Sequence, residues 1–394
     1  MGRLHTLGWE INSTTNGMEF DTYSGSPTID STTKRSGTYS GRISSLASGT
    51  PQYFATTFST GTVKSWYRVY AYFATLPSAE NRFIYINDAN NLTTPLVYLT
   101  IDNSGVLKLY DEDGQITGTT TLSTSTWYRI EVKMDLSGAG STDIVEAKVD
   151  GATAFASSST RNISANPTTL IMGGNLNSEA QTTGNWYFDD MGINDDSDTV
   201  QNSYLGAGNV IVAFPSGANT NQWTTGAGRT AGTSSNYTNV DENPPNDATD
   251  YIGSTTTNQQ DLYTISPTAI ATGDTINLTN ISVRWRNNTA TSSGLNVQIN
   301  YVTSGTDTSV SNYTMNSTTW KTNAENGSSL TTPRFLNYTD FDSNPYTKSV
   351  IDGSKIGVKL TDGTSANYIE ISAIWLTVDY VATATTRRKI YVIG

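Results

Sequence analysis

Leu96-Val97-Tyr98-Leu99-Thr100-Ile101 runs into Asp102-Asn103-Ser104-Gly105 and out again through Val106-Leu107-Lys108-Leu109-Tyr110. Two short apolar-rich runs joined by four residues of turn chemistry specify a β-hairpin. The same grammar extends both ways along the chain. Upstream, Trp66-Tyr67-Arg68-Val69-Tyr70-Ala71-Tyr72-Phe73 is an aromatic run bounded by Gly61 and Pro77, and Phe83-Ile84-Tyr85-Ile86-Asn87 follows it. Downstream, Trp127-Tyr128-Arg129-Ile130-Glu131-Val132-Lys133-Met134 alternates large and charged residues as a half-buried strand does. Ile144-Val145-Glu146-Ala147-Lys148-Val149 repeats the pattern and ends at Asp150-Gly151. Nowhere does an apolar stripe at i, i+3, i+4, i+7 persist for a helix's length between caps. The chain reads as all-β.

Short strands separated by turn residues point to sandwiches. With 394 residues there is room for more than one domain. The acidic run Asp189-Asp190-Met191-Gly192-Ile193-Asn194-Asp195-Asp196-Ser197-Asp198 closes one block, and Tyr204-Leu205-Gly206-Ala207-Gly208 opens another. The second block has its own strands at 210–214, 281–285, 295–301, 356–360 and 369–380. We therefore expect two tandem antiparallel β-sandwiches of jelly-roll type, over 1–198 and 204–382, and a short strand-like tail over 383–394.

Composition removes much chemistry. With no cysteine and only His5, the chain holds no disulfide, thiolate cluster, cysteine nucleophile or histidine-rich metal site. A net charge of -12 argues against nucleic acid, which needs a basic face. No apolar run approaches the 18 or so residues of a membrane helix, so no membrane insertion is expected. The opening Met1–Trp9 lacks an apolar signal region, and the absent thiols suit assembly in a reducing cytoplasm.

Two resemblances add to this reading. Ser36-Gly37-Thr38-Tyr39-Ser40-Gly41-Arg42, the 99–107 hairpin, the Trp127–Val132 strand, Val149-Asp150-Gly151 and the closing Trp186-Tyr187-Phe188-Asp189-Asp190-Met191-Gly192-Ile193 occur in order. Together they resemble a concanavalin A-like, laminin-G-type jelly roll over roughly 8–196. The second block resembles a β-sandwich module of tailed-bacteriophage virion proteins. That likeness rests on Tyr204-Leu205-Gly206, Phe214-Pro215-Ser216-Gly217 with Trp223, the 236–247 stretch, Thr249-Asp250-Tyr251-Ile252 and Gln260-Asp261-Leu262-Tyr263. It implies a phage structural protein; the jelly-roll name alone would not, since one fold hosts many functions.

Glycanases of the concanavalin A-like fold carry alternating acids on one strand, flanking the scissile bond. Here Glu131-Val132-Lys133-Met134-Asp135 places a lysine on that face, and Glu19-Phe20-Asp21 lacks a third acid. Both read as solvent-facing strand residues, so no catalytic residue is assigned and no enzyme activity is expected. Calcium, with its oxygen ligands, is the one metal the composition readily allows. Its candidates are Asp111, Asp113, Asp189 and Asp190, with Asp195, Asp196 and Asp198 beside them; strand alternation puts Asp189 and Asp190 on opposite faces. No other cofactor is expected. Trp223, Trp320 and Tyr346 lie in polar, loop-like surroundings and are the candidates for stacking on sugars. At the C-terminus Arg387-Arg388-Lys389 stand before Ile390-Tyr391-Val392-Ile393, a basic cluster and apolar strand suited to docking on a neighbouring subunit.

The expected protein is therefore a non-enzymatic virion component displayed on the particle surface. Its partners would be other virion proteins and copies of itself. The alternative is a carbohydrate-binding adhesin directed at host-surface or environmental glycans.

Overall fold

A computed structural model describes residues 2–383 apart from 45–48, 59–62, 90–91, 139–141, 157–160, 180–183, 226–234, 289–294, 304–308, 323–334, 341–342 and 363–367. The docking tail, Arg387, Arg388, Lys389, Ile390, Tyr391, Val392 and Ile393, lies outside the described residues.

Every named ladder is antiparallel, and the strands form two pairs of sheets. The first sheet has eight strands. Its path runs Ala152–Ala156, Ile144–Val149, Trp127–Asp135, Lys64–Phe73, Trp186–Asp195, Ser40–Ile43, Thr28–Asp30, with Arg3–Leu7 added on Trp186–Asp195. The second, also of eight, runs Gly114–Gln115, Val106–Asp111, Val97–Ile101, Asn81–Asn87, Thr169–Gly174, Gln52–Thr57, Thr22–Ser24, with Thr120–Thr121 against Val106–Asp111. Strands 209–381 build a seven-stranded and a five-stranded sheet, centred on the long pair Thr275–Asn287 and Ile369–Val381 and on Lys355–Asp362. The all-β, tandem-sandwich expectation describes this architecture.

Alternation along the strands fills each core. Phe54, Phe73, Phe83, Leu99, Leu107, Ile130 and Trp186 meet between the first two sheets. Phe73 packs edge-on against Phe83 and Trp186, at 5.3 and 5.1 Å between ring centres, the favoured geometry of aromatic pairs. In the other sandwich Trp223, Trp285, Val297, Ile356 and Leu376 do the same. Ile11 of the first sandwich packs on Ala373 and Trp375 of the second.

Polar bonds also fasten the two sandwiches. Asp379 Oδ2 accepts from Arg3 Nη1 and Arg68 Nη2, each at 2.8 Å, with all three side chains buried. Burial alone would raise the Asp379 carboxyl, but the charges of Arg68 and Arg3 outweigh it and bring its pKa down to about 2. Asn243 Nδ2 donates to the Glu10 carbonyl at 2.8 Å, and Gly206 N donates to Glu131 Oε1 at 2.7 Å.

Several expectations need correction here. Glu131 is 1% exposed rather than solvent-facing, because its carboxylate is spent on Gly206 N and Arg129. Glu19 accepts from Glu10 N and Ile11 N, and Asp21 from Thr57 N, so this pair clamps backbone. Asp189 and Asp190 do not diverge. The register slips between Asp189 and Gly192 and Asp190 takes φ 49°, a bulge that breaks strict alternation. Both carboxylates then turn to one segment. Asp189 Oδ2 accepts from Arg35 N at 2.8 Å, and Asp190 accepts from Ser36 Oγ at 2.6 Å and from Arg35 Nη1. A one-turn helix, Lys348–Gly353, had no periodic signature; Thr347 caps it by accepting from Val350 N.

Candidate functional site

The hairpin that announces the fold also builds an ordered row of tyrosines and charged residues on the second sheet. The turn forms because Asp102 Oδ1 accepts from Ser104 N and Val106 N, at 2.8 and 3.0 Å, while Gly105 supplies φ +79°. Alternation on its two arms sends Val97, Leu99, Ile101, Leu107 and Leu109 into the core. It sends Tyr98, Thr100, Lys108 and Tyr110 to the opposite face of the sheet. Register then aligns Tyr85, Tyr98 and Tyr110 as one row across three strands, with Arg82, Thr100 and Lys108 as the next.

The row is tightly coupled. Tyr98 and Tyr110 stack with ring centres 4.8 Å apart and planes 3° apart, and Tyr85 meets Tyr98 edge-on at 5.9 Å. The Arg82 guanidinium lies 4.5 Å from the centre of the Tyr98 ring and donates to the Tyr85 hydroxyl at 3.0 Å. Just before the Asn81–Asn87 strand, Glu80 gathers three donors: Thr100 Oγ1 at 2.7 Å, Tyr110 Oη at 3.0 Å and Lys108 Nζ at 2.5 Å. Glu179 stands 3.6 Å from Arg82 Nε. Tyr98, Tyr110, Glu80, Arg82 and Lys108 are half-buried, while Tyr85 lies beneath them with Ile171 and Leu176.

These contacts fix the charge state of the face. Burial pushes the Glu80 carboxyl up, but the bonds from Lys108, Thr100 and Tyr110 outweigh it and hold it below its ordinary value. Burial raises the Tyr85 phenol to about 12, against the pull of Arg82. Burial and then the Glu80 bond raise Tyr110, also to about 12. At neutral pH the face presents protonated phenols beside an ionised carboxylate, each held in place before any ligand arrives. Fixed donors and acceptors beside aromatic carbon suit a hydroxyl-rich ligand with apolar C–H faces, since little ordering remains to be done on binding.

The residues singled out in sequence fall elsewhere. Trp223 is 0% exposed; it is anchored by Asp261 Oδ1, which accepts from Gln222 N and Trp223 N, and its Nε1 donates to the Gln259 carbonyl. Tyr346, 4% exposed, packs against Tyr301. Neither offers a ring to a ligand, because polar sequence neighbours conceal core positions. Trp320 is half-buried under Arg286, 4.6 Å from its ring centre, with Tyr251 at 6.2 Å. Elsewhere on that sandwich a cavity of about 120 Å³ is lined by Thr224, Gly253, Ser254, Thr256, Gln259 and Tyr368.

The calcium candidates act as hydrogen-bond acceptors. Asp111 Oδ1 accepts from Arg161 Nη1 at 3.0 Å and Asp113 Oδ2 from Asn162 N at 2.8 Å, pinning one loop to the next. Asp189 and Asp190 bind the Arg35-Ser36 segment and Val210 N. Among the described residues no group of three or more His, Asp or Glu is placed to hold a metal ion.

No family model and no curated protein matches the sequence. Solved structures do. The chain is similar to the cellulose induced protein Cip1, at 18% identity and a TM-score of 0.37 over 51% of this chain and 99% of that one. Alginate lyase Aly36B aligns at 11% identity and a TM-score of 0.31, over 49% of this chain and 98% of the lyase. Trypanosoma rangeli sialidase aligns at 9% identity and a TM-score of 0.34, over 49% of this chain but only 30% of the sialidase. A lyase and a sialidase stand among these matches, so they run against the expectation of a chain without enzyme activity and at these TM-scores assign the chain no activity of its own.

Proposed function

We propose that this chain is a carbohydrate-binding protein and that its glycan lies on the second sheet, across Tyr98 and Tyr110. The supporting observation is the stacked pair, 4.8 Å apart and nearly parallel, whose surrounding polar groups are locked by Glu80 and Arg82. Such a face needs no rearrangement to meet a sugar's hydroxyls and C–H edges. This replaces Trp223, Trp320 and Tyr346 as the binding surface. The surface of a phage particle, implied by the likeness of 204–382 to virion modules, is the proposed setting; there, many copies would add weak contacts into avidity.

The test is a glycan array followed by calorimetry with the whole chain and with a Tyr98→Ala, Tyr110→Ala variant. We expect binding by the parent and a loss of at least about tenfold in the variant, equal to about 1.4 kcal/mol. Undiminished binding by a folded variant would move the site elsewhere; no binding by the parent to any glycan would end the proposal.

A further inference from the structure

The charges on the tyrosine face close on themselves, and we propose from this that its ligand is an uncharged glycan, built of neutral sugars without carboxylate or sulfate groups. The inference rests on the glycan-binding reading above. The face has two cations, Arg82 and Lys108, and each has its own carboxylate: Glu80 takes Lys108 at 2.5 Å, and Glu179 lies 3.6 Å from Arg82. Arg82 spends more of its capacity within the face, donating to the Tyr85 hydroxyl and laying its plane by the Tyr98 ring. No cation on this row stands without an anion beside it.

An anionic sugar needs the reverse. Carboxylates and sulfates are bound by free guanidinium or ammonium groups, through short charge-assisted bonds. To reach Lys108 here, a uronate would have to expel Glu80, which three donors hold in place, or share the cation with it. Two carboxylates that share one cation repel each other at close range. The wider field works the same way: the charges acting on the Tyr98 phenol are Arg82 against Glu80, Asp111 and Glu179. The chain as a whole, at -12, repels a polyanion further at low salt. A neutral sugar meets none of these costs. Its hydroxyls can donate to the remaining lone pairs of Glu80 and Glu179 without bringing a further negative charge beside them.

The experiment compares neutral gluco- and xylo-oligosaccharides with oligouronates of equal length, by calorimetry on the full chain at pH 7 and low salt. The parent should bind a neutral series at least tenfold more tightly than the uronates. Glu80→Gln and Glu179→Gln, checked for folding by circular dichroism, should each narrow that ratio by improving uronate binding. Uronates bound as well as or better than neutral sugars would overturn the charge argument and leave the glycan-binding reading standing. Binding of neither series, with a blank array, would overturn both.

Discussion

Arg68 and Asp379 meet across the junction of the two sandwiches, Nη2 to Oδ2 at 2.8 Å, with neither side chain exposed. Arg3 reaches the same oxygen from the first strand, and Asn277 Nδ2 donates to the other at 2.8 Å. One carboxylate therefore serves two buried guanidinium groups, and the charge of Asp190 also acts on Arg68. A buried ion group of this kind adds little over an apolar core, but losing one partner strands the rest. Asp379→Asn is expected to lower stability by about 3–5 kcal/mol, read from denaturant unfolding. Replacing the set together, Arg3→Met, Arg68→Met and Asp379→Leu, should recover much of that loss. A single variant as stable as the parent would mean the junction does not depend on this charge balance.

The acids on the opposite side of the junction set a pH dependence of defined sign. Burial raises Glu10 to about 8 and Glu19 to about 7, although each carboxylate also accepts backbone N–H groups. Their unfolded values lie near 4.5. The folded chain therefore keeps protons that the unfolded chain gives up. Their stabilising effect is complete below about pH 4.5 and drains away as pH climbs through 7 and 8, at about 1.4 kcal/mol per unit for each group. Asp379, lowered to about 2, works oppositely and is lost only as pH falls from about 4 through 2. The melting temperature should thus fall between pH 5 and pH 8, and Glu10→Gln should flatten that slope. A melting temperature that rose over this interval would contradict the assignment.

How much of this was legible follows from the range of the interactions. The hairpin was readable because alternation and the Asp102–Gly105 turn are local, and the strands Val97–Ile101 and Val106–Asp111 stand where the pattern puts them. The pairing of Tyr98 with Tyr110 was implicit in that hairpin. What made a site of it was not local: Arg82 arrives from a third strand, Glu80 from the residue just before that strand, and Glu179 from a loop nearly a hundred residues on. The long strand Thr275–Asn287 was seen only at its apolar centre, since its Thr- and Asn-rich ends carry no periodic signal. The convergence of Asp189 and Asp190 depends on a bulge whose partner residues lie over a hundred positions away.

Trp223 and Trp320 separate core from surface. Trp223→Ala removes a fully buried side chain and its bond to the Gln259 carbonyl, so a loss of about 3–5 kcal/mol is expected. Trp320→Ala, at a half-buried position under Arg286, should cost less than half as much. Neither residue lies on the tyrosine face, so glycan affinity of the folded Trp320→Ala chain should match the parent. Denaturant unfolding with calorimetry checks both, and equal losses of stability would refute the placement.

Gly105 ties the hairpin to its neighbour and should not tolerate a side chain. Its φ is +79°, and a Cβ there would lie 2.2 Å from the Leu122 carbonyl oxygen, while Leu122 N donates to the Gly105 carbonyl at 2.8 Å. Gly105→Ala therefore meets both backbone strain and a collision with backbone that cannot rotate away. We expect a loss of about 2–3 kcal/mol, and weaker glycan binding as Tyr98 and Tyr110 shift with the hairpin. Gly353→Ala is the control, because nothing lies within 4 Å of its added carbon; its stability should stay within about 1 kcal/mol of the parent. Should both variants unfold alike, the turn geometry would not be what holds the tyrosine row in register.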